Sequence, residues 1–165
     1  MDIKRGSRNV TVSWSRFVNA QTGILFGLEP DLFVDTAQTV TLHHNLFMNL
    51  SRNGFHARRG KLHAYNNFFM NLGASGFECT DSARCVVEGN VFNVENSANL
   101  YRLFDEDGIP VDSTLGYVAM KGNWFIQDGS ELLGDARGFT PDYEYSKDAA
   151  DAGLTLKIMD FCGPR

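Results

Sequence analysis

The sequence predicts an all-β fold, a right-handed, single-stranded parallel β-helix of about five recognisable coils. Three observations predict it: an eight-residue segment that recurs five times, an alternation of apolar and polar residues within the copies, and a spacing that is regular apart from two insertions. The copies superimpose without gaps and begin at Val10, Val40, Leu62, Cys85 and Val118. A solenoid produces such a repeat, because each coil reuses the strands and turns of the coil before it.

The same residue types occupy the same positions in every copy. The first and third positions are apolar or cysteine, the eighth is phenylalanine, and the sixth is asparagine in four of the five copies. The intervals between successive phenylalanines are 30, 22, 23 and 33 residues, for Phe17, Phe47, Phe69, Phe92 and Phe125. Apolar residues at every second position indicate strands. Leucine-rich repeats have a similar period, but they are excluded because no leucines stand at their spacing.

The repeat also predicts how the coils are built. Further short strands are predicted at Asp2–Arg5, Gly23–Gly27, Phe55–Arg59 and Gly76–Thr80. Equivalent residues of stacked coils lie about 4.8 Å apart, so we expect the phenylalanines to form an internal stack. By the same argument a hydrogen-bonded ladder at a turn is expected for Asn45, Asn67, Asn90 and Asn123, because asparagine bonds backbone groups and tolerates left-handed geometry.

The whole chain, residues 1–165, is predicted to be one domain. Insertions are predicted at Leu28–Thr39 and at Asn96–Gly116, where solenoids often build a binding face. Segment 146–165 contains helix-forming residues and is predicted to be a C-terminal cap. The first coil is expected to lack a preceding coil, and its open strand edges predict self-association through the N-terminal end.

Charge limits the classes of partner. The net charge is −5, which argues against nucleic acid and against anionic membranes, because both select basic domains. Apolar stretches are too short to span a bilayer, and the first residues do not resemble an export signal. One segment departs from this overall acidity. Residues 52–63, the basic stretch, include no acidic residue and contain Arg52, His56, Arg58, Arg59, Lys61 and His63.

The cysteines leave two interpretations open. Cys79 and Cys85 lie close in sequence across a predicted turn, whereas Cys162 stands near the C-terminus. A disulfide between the first two is expected in an exported protein, and two reduced core cysteines are an equally good interpretation. Metal binding would need further ligands at a recognisable spacing, which the sequence lacks.

Several segments, taken in order along the chain, resemble the pectate lyase family. Residues 2–13 read DIKRGSRNVTVS, residues 43–47 read HHNLF, and residues 58–67 read RRGKLHAYNN. The segment at 139–145, FTPDYEY, is similar to the end of bacterial members. The resemblance implies a secreted enzyme, matched over its C-terminal part. Such enzymes cleave polygalacturonate, an acidic polysaccharide, by β-elimination, in which calcium binds the substrate carboxylate and an arginine removes the C5 proton.

The family pattern assigns roles to individual residues of this chain. Arg52 is expected to be the catalytic arginine if one inserted residue is allowed, whereas an ungapped alignment places Asn53 there. Arg58 keeps its place in both alignments and is expected to clamp a substrate carboxylate, for which a guanidinium fork is well shaped. The remaining expected roles are substrate binding for His56, Arg59 and Lys61 and calcium binding for Asp2.

Three departures from the family pattern weaken the expected activity. Arg52 is shifted by one residue, Thr22 stands where the family has a substrate-binding lysine, and Asp2 is the single member of the calcium set present. Calcium normally takes six to eight oxygen ligands. We therefore expect weak or no calcium-dependent lyase activity from the isolated chain. A non-catalytic acidic-polysaccharide-binding β-helix and a pectin lyase remain alternatives, whereas a glycosidase would need a pair of carboxylates that the basic stretch lacks.

Overall fold

Three parallel sheets lie side by side along a stack of coils, and successive coils extend the sheets strand by strand. The computed structural model describes residues 1–27, 33–73, 75–94, 116–127 and 139–164. Parts of both predicted insertions, 28–32 and 96–115, lie outside the described residues, as does residue 95. The segment 128–138 lies outside them too.

Strand order within each sheet follows the order of the coils. Sheet A contains β1 (Asp2–Ile3), β4 (Ile24–Phe26), β7 (Asn53–Arg58) and β10 (Ser75–Thr80). Sheet B contains β2 (Val10–Ser13), β5 (Thr39–His43), β8 (Lys61–Tyr65), β11 (Arg84–Glu88) and β13 (Tyr117–Lys121). Sheet C contains β3 (Arg16–Val18), β6 (Leu46–Leu50), β9 (Phe68–Leu72), β12 (Val91–Asn93) and β14 (Trp124–Phe125).

Every neighbouring pair of strands is parallel, and equivalent positions of the predicted copies are paired in register. For example, Val10 pairs with Val40, which pairs in turn with Leu62. The prediction of an all-β parallel β-helix is therefore confirmed. Each copy of the repeat divides into a strand of sheet B and a strand of sheet C, and in four of the five copies an asparagine lies at the corner between them.

The predicted phenylalanine stack runs through the core. Ring centroids of successive members lie 5.1, 4.8, 4.8 and 5.4 Å apart, in the order Phe17, Phe47, Phe69, Phe92 and Phe125. The rings of all four pairs are stacked and nearly parallel, because coils in register place equivalent side chains above one another. A shorter stack, Phe55 on Phe77, lines the inner face of sheet A.

The predicted asparagine ladder is present at the corner between sheets B and C. The side-chain Nδ2 of Asn45 donates to Asn67 Oδ1, and Asn67 Nδ2 donates to Asn90 Oδ1, each at 3.0 Å. Asn123 ends the series by accepting from Asn90, also at 3.0 Å. The first three members are fully buried, so these bonds satisfy amides that would otherwise be costly to desolvate.

The sequence analysis expected the left-handed backbone of this corner on the asparagine, and that expectation is wrong. The left-handed backbone falls on the preceding position of every copy, where Trp14, His44, Asn66, Gly89 and Gly122 all have φ between 50° and 63°. The asparagine itself keeps an ordinary backbone and uses its amide to bridge coils. The corner therefore holds left-handed geometry even on tryptophan, a bulky residue that rarely adopts it.

Tight turns also separate sheet A from sheet B. Arg59 and Gly60 both have positive φ, and a Cβ on Gly60 would lie 2.7 Å from the carbonyl oxygen of Gln38. Gln38 follows a 3-10 helix, Phe33–Ala37, which belongs to the first predicted insertion. A disulfide between Cys79 and Cys85 spans the equivalent turn of the next coil, so the structure selects one of the two interpretations left open by the sequence.

The C-terminal helix, α1 (Ala152–Phe161), packs on the flank of the coils. Asp151 caps its N-terminus by accepting a hydrogen bond from the backbone N–H of Leu154. Leu154 and Ile158 are buried against residues on the outer face of sheet C, namely Leu46, Phe68 and Val91. The helix therefore contacts the side of the solenoid at sheet C. The role of segment 146–165 as a cap over the end of the coils stays a prediction.

The stacked core makes a quantitative prediction about stability. Replacing the fully buried Phe69 with alanine should lower the free energy of unfolding by roughly 3 to 5 kcal/mol, because it removes a ring that stacks on both sides and leaves a cavity. The control, Leu156→Ala, changes a side chain of α1 that is 66% exposed and should have a small effect. Urea denaturation followed by circular dichroism measures both; equal losses would contradict the stacked core.

Candidate functional site

The outer face of sheet A carries a row of side chains of which three of four are charged or polar. Asp2, Leu25, His56 and Glu78 occupy equivalent positions on its four strands and are paired in register. Arg58 lies two residues beyond His56 on the same strand, so both side chains point outward from the sheet. The structure therefore brings Asp2, His56 and Arg58 onto one surface.

His56 is the centre of the hydrogen bonds on this face. Its Nε2 accepts from Arg58 Nε at 3.4 Å and lies 3.0 Å from the hydroxyl of Thr80. Because Nε2 accepts, Nδ1 carries the proton and faces the Glu78 carboxylate at 3.2 Å. A chain of contacts from Glu78 through His56 thus orients the guanidinium of Arg58 along the face.

The other residues of the basic stretch are divided between different surfaces. Arg59 occupies the left-handed turn after β7, with its guanidinium carbon 5.4 Å from the ring centroid of Phe33. Lys61 begins β8 in sheet B, where its Nζ lies 5.6 Å from the ring centroid of Phe139. His63 is on sheet B as well and is almost fully buried. The basic stretch therefore does not form one continuous row.

Arg52 and Asn53, the two candidates for the catalytic arginine position, lie at the corner where the chain enters sheet A. Arg52 is exposed and precedes β7, and its backbone N–H donates to Gln21. Asn53 is 3% exposed, and a Cβ on the next residue, Gly54, would lie 2.6 Å from the Phe69 ring. Because Asn53 is buried, Arg52 is the exposed candidate of the two.

Asp2 is the predicted metal ligand, and its surroundings do not fit a complete calcium site. Its carboxylate pairs with Lys4 at 2.8 Å, and this bond lowers the pKa of Asp2. Over the described residues no group of three or more histidine, cysteine, aspartate or glutamate side chains is placed to hold a metal ion. Since calcium takes six to eight oxygens, the one or two oxygens that the Asp2 carboxylate offers do not make a complete site.

A second polar cluster, which the sequence analysis missed, covers the outer face of sheet B. The C-terminal segment 139–148 crosses this face and is held by hydrogen bonds. Tyr143 donates its hydroxyl proton to His63 Nδ1 at 2.6 Å, and His63 Nε2 donates to Glu88 at 2.9 Å. Glu88 also accepts from Tyr145 and Lys147. These contacts form a chain from Glu88 through His63 to Tyr143.

A parallel chain runs beside it at the corner of the ladder. Asp148 lies 3.1 Å from His44 Nε2, and the two Nδ1 atoms of His44 and His43 are 3.0 Å apart. The ring of Trp14 stacks on His44 at 4.5 Å and fixes its plane. The signals available in the sequence were the pair of adjacent histidines and the aromatic segment FTPDYEY, but neither indicates a contact between them.

Burial sets the protonation states on sheet B. The pKa values of His43, His44 and His63 lie below the ordinary 6.5, chiefly because burial disfavours the imidazolium form. Burial raises the pKa of Glu88, but hydrogen bonds from Lys147, Tyr145 and His63 outweigh it, so that pKa lies below its ordinary value. Near neutral pH this face therefore presents neutral imidazoles around an ionised carboxylate.

In-register coils, a buried asparagine ladder and a polar outer face on sheet A define the class of the molecule, a parallel β-helix protein. Comparison with known proteins specifies the family. A family model described as pectate lyase matches residues 1–114, which is more than half of the chain. The chain belongs to the pectate lyase family.

Individual relatives agree with this assignment. Pectate lyase 1 of Pectobacterium carotovorum is 34% identical over 99 residues, which are 60% of this chain and 25% of that protein. A crystal structure of a pectate lyase from Bacillus sp. N165 in complex with trigalacturonate matches 98% of this chain and 51% of its own, with 27% identity and a TM-score of 0.81. Pectate lyase II of Xanthomonas campestris shares the fold, with a TM-score of 0.75 at 24% identity.

The chain thus spans a quarter of the length of the first of these relatives and half of the Bacillus structure. Within the described part of the chain, no helix is long and apolar enough to cross a membrane.

The histidines of sheet B make stability depend on pH. A histidine with a lowered pKa binds fewer protons in the folded chain than in the unfolded chain. Its contribution to the free energy of unfolding is therefore complete above pH 6.5 and is lost as the pH falls through the pKa that the histidine has in the folded chain. We expect the melting temperature to fall between about pH 7 and about pH 5, the range in which histidine titrates.

The variant His63→Gln should have a lower melting temperature near neutral pH but a shallower dependence on pH, because one of the shifted imidazoles is gone. Differential scanning fluorimetry across the pH range measures both quantities. A wild-type melting temperature that rises on acidification would contradict the assignment of neutral, buried imidazoles.

Proposed function

We propose that the outer face of sheet A binds polygalacturonate and that the protein is a pectate lyase-like enzyme acting by calcium-assisted β-elimination. The observation that carries the proposal is Arg58, a cation oriented by His56 on the outer face of a sheet, in a chain of the pectate lyase family. The relative from Bacillus sp. N165, solved with trigalacturonate, supports an acidic polysaccharide as the ligand class.

Each basic residue has a proposed role in holding the polymer. Arg58 binds a uronate carboxylate through its guanidinium fork, because two parallel N–H groups match the two carboxylate oxygens. His56 holds Arg58 and contacts the neighbouring sugar. Arg59 and Lys61, at the turn and on the adjoining sheet, bind the polymer where it leaves sheet A.

In the proposed reaction Arg52 removes the proton from C5 of a galacturonate unit. The electron pair of that C–H bond forms the C4–C5 double bond, the C4–O4 bond breaks, and the departing oxygen takes a proton from solvent. An arginine has a pKa above about 12 and is rarely neutral. The reaction is therefore expected to be fastest under alkaline conditions.

Calcium is proposed as the cofactor by family membership, with Asp2 as a ligand. Because the described residues around Asp2 do not fit a complete calcium site, the roles above are assigned without the metal. The same misfit favours a second candidate function, a β-helix that binds acidic polysaccharide without cleaving it. The threonine at position 22, where the family pattern has a substrate-binding lysine, favours that candidate as well.

We also propose that the protein is secreted. The disulfide between Cys79 and Cys85 supports this proposal, because disulfides persist in oxidising compartments and are rare in the cytosol. An extracellular location is also where a polysaccharide of plant cell walls is available.

Binding to polygalacturonate should depend on Arg58. Arg58→Gln should weaken binding roughly tenfold or more, because it removes a charge-assisted pair of hydrogen bonds, whereas Arg58→Lys should restore part of it. Arg84→Gln is a matched control, since Arg84 is exposed at the start of β11 in sheet B. Affinity electrophoresis in gels containing polygalacturonate measures the difference, and equal retention of all variants would contradict the proposed site.

The same binding should weaken as salt increases, because exposed charges are screened over about 8 to 10 Å at ordinary ionic strength. Lyase activity is measured separately, from the ultraviolet absorbance of the unsaturated product, with calcium and with a chelator. We expect weak or no activity from the isolated chain. Turnover comparable to that of the longer relatives would show that the residues described here form a complete enzyme.

A further inference from the structure

A groove lies between the outer face of sheet B and the C-terminal segment 139–146. Its volume is about 780 Å³, within the roughly 300 to 1,000 Å³ of small-ligand sites. Among the residues proposed for polygalacturonate, Lys61 reaches the groove, whereas His56 and Arg58 belong to the other surface. The groove is therefore a cavity separate from the face of sheet A.

Two hydrogen-bonded chains end at this groove. One runs from Asp148 through His44 to His43. The second runs from Glu88 through His63 to the hydroxyl of Tyr143, which also contacts Thr41 at 2.8 Å. In each chain a buried histidine fixes the group that lines the groove, so these polar groups are oriented before any ligand arrives.

The walls combine rings with hydroxyl groups. Tyr143 is 39% exposed, and the ring of Phe139 is half-buried at the end where Lys61 stands. Thr11 and Thr41 are paired in register on neighbouring strands, so their hydroxyls form a short column on the floor. A sugar ring has an apolar C–H surface that packs on aromatic rings, and its edge carries hydroxyls that donate and accept hydrogen bonds.

The charges that line the groove disfavour an acidic ligand. Asp142 and Glu144 are both exposed carboxylates of the crossing segment, and Lys61 is the one lysine or arginine among the described lining residues. Carboxylates accept hydrogen bonds from neutral hydroxyls but repel uronates. The balance of acidic and basic side chains at this surface is thus opposite to the one expected for polygalacturonate binding on sheet A.

We propose that this groove binds a neutral oligosaccharide, with Tyr143, His43 and Glu144 as its hydrogen-bonding groups and Phe139 as an apolar contact. The site is separate from the proposed lyase face. A chain with both sites would hold an uncharged part of a polysaccharide on sheet B while sheet A holds an acidic part.

The test compares two probes that differ at C6. The full chain is titrated in a calorimeter with 1,4-linked galactobiose, which is uncharged, and with 1,4-linked digalacturonate, in which each C6 is a carboxylate. We expect saturable binding of galactobiose. Glu144→Gln and Tyr143→Phe should each weaken that binding about tenfold, the effect of losing one good hydrogen bond of about 1.4 kcal/mol.

Asp160→Asn is the matched control for Glu144→Gln, because Asp160 is an exposed carboxylate on α1, outside the groove. It should bind galactobiose as the wild type does. Glu144→Gln removes an exposed carboxylate at the surface, so it tests the site without loosening the segment that Tyr143 anchors. Digalacturonate binding should be unchanged or stronger in Glu144→Gln, since one repelling charge is gone.

Three results would overturn the proposal. The first is the absence of saturable heat with galactobiose up to about 10 mM, a concentration that corresponds to a binding free energy of about 3 kcal/mol. The second is galactobiose binding that both groove variants leave intact, and the third is digalacturonate binding that Glu144→Gln weakens. None of these results depends on lyase activity or on Arg58, so they are distinguishable from a failure of the proposed function.

Discussion

Register between coils is the constraint on which the rest of the structure depends, and the buried asparagine ladder enforces it. Asn67 donates to Asn90 and to the carbonyl oxygen of Leu42, and its own Oδ1 accepts from both the backbone and the side chain of Asn45. A slip of one residue would leave these amides unsatisfied in the core, at a cost of about 1 to 3 kcal/mol for each group. It would also exchange the inner and outer faces of every strand.

Because register is fixed, the outward side chains of distant coils form two distinct surfaces. On sheet A, His56 lies between Leu25 and Glu78 and orients Arg58, which gives a face with a half-buried guanidinium. Sheet B instead buries His63 beneath Tyr143, and its imidazoles stay neutral. One solenoid therefore presents the surface proposed for an acidic polymer on sheet A and, around the corner from it, a groove lined by neutral imidazoles and exposed carboxylates.

The sequence predicted the coils well because their determinants are local and repeated. Phenylalanine and asparagine recur at fixed positions, and parallel stacking converts that recurrence into contacts such as Phe47 on Phe69. The left-handed corner was misplaced because four different residue types, at five positions from Trp14 to Gly122, accept one backbone geometry there. The groove on sheet B was missed because its contacts are non-local: His63 and Tyr143 are 80 residues apart, and segment 139–148 repeats nothing.

The central claim is that sheet A is the surface for acidic polysaccharide. A crystal structure of the chain soaked with trigalacturonate tests it most directly. The account predicts the oligosaccharide along sheet A, with a uronate carboxylate within hydrogen-bonding distance of Arg58 and none in the groove beneath Tyr143. Trigalacturonate bound in that groove, with the contact between Arg58 and His56 unchanged, would contradict the account.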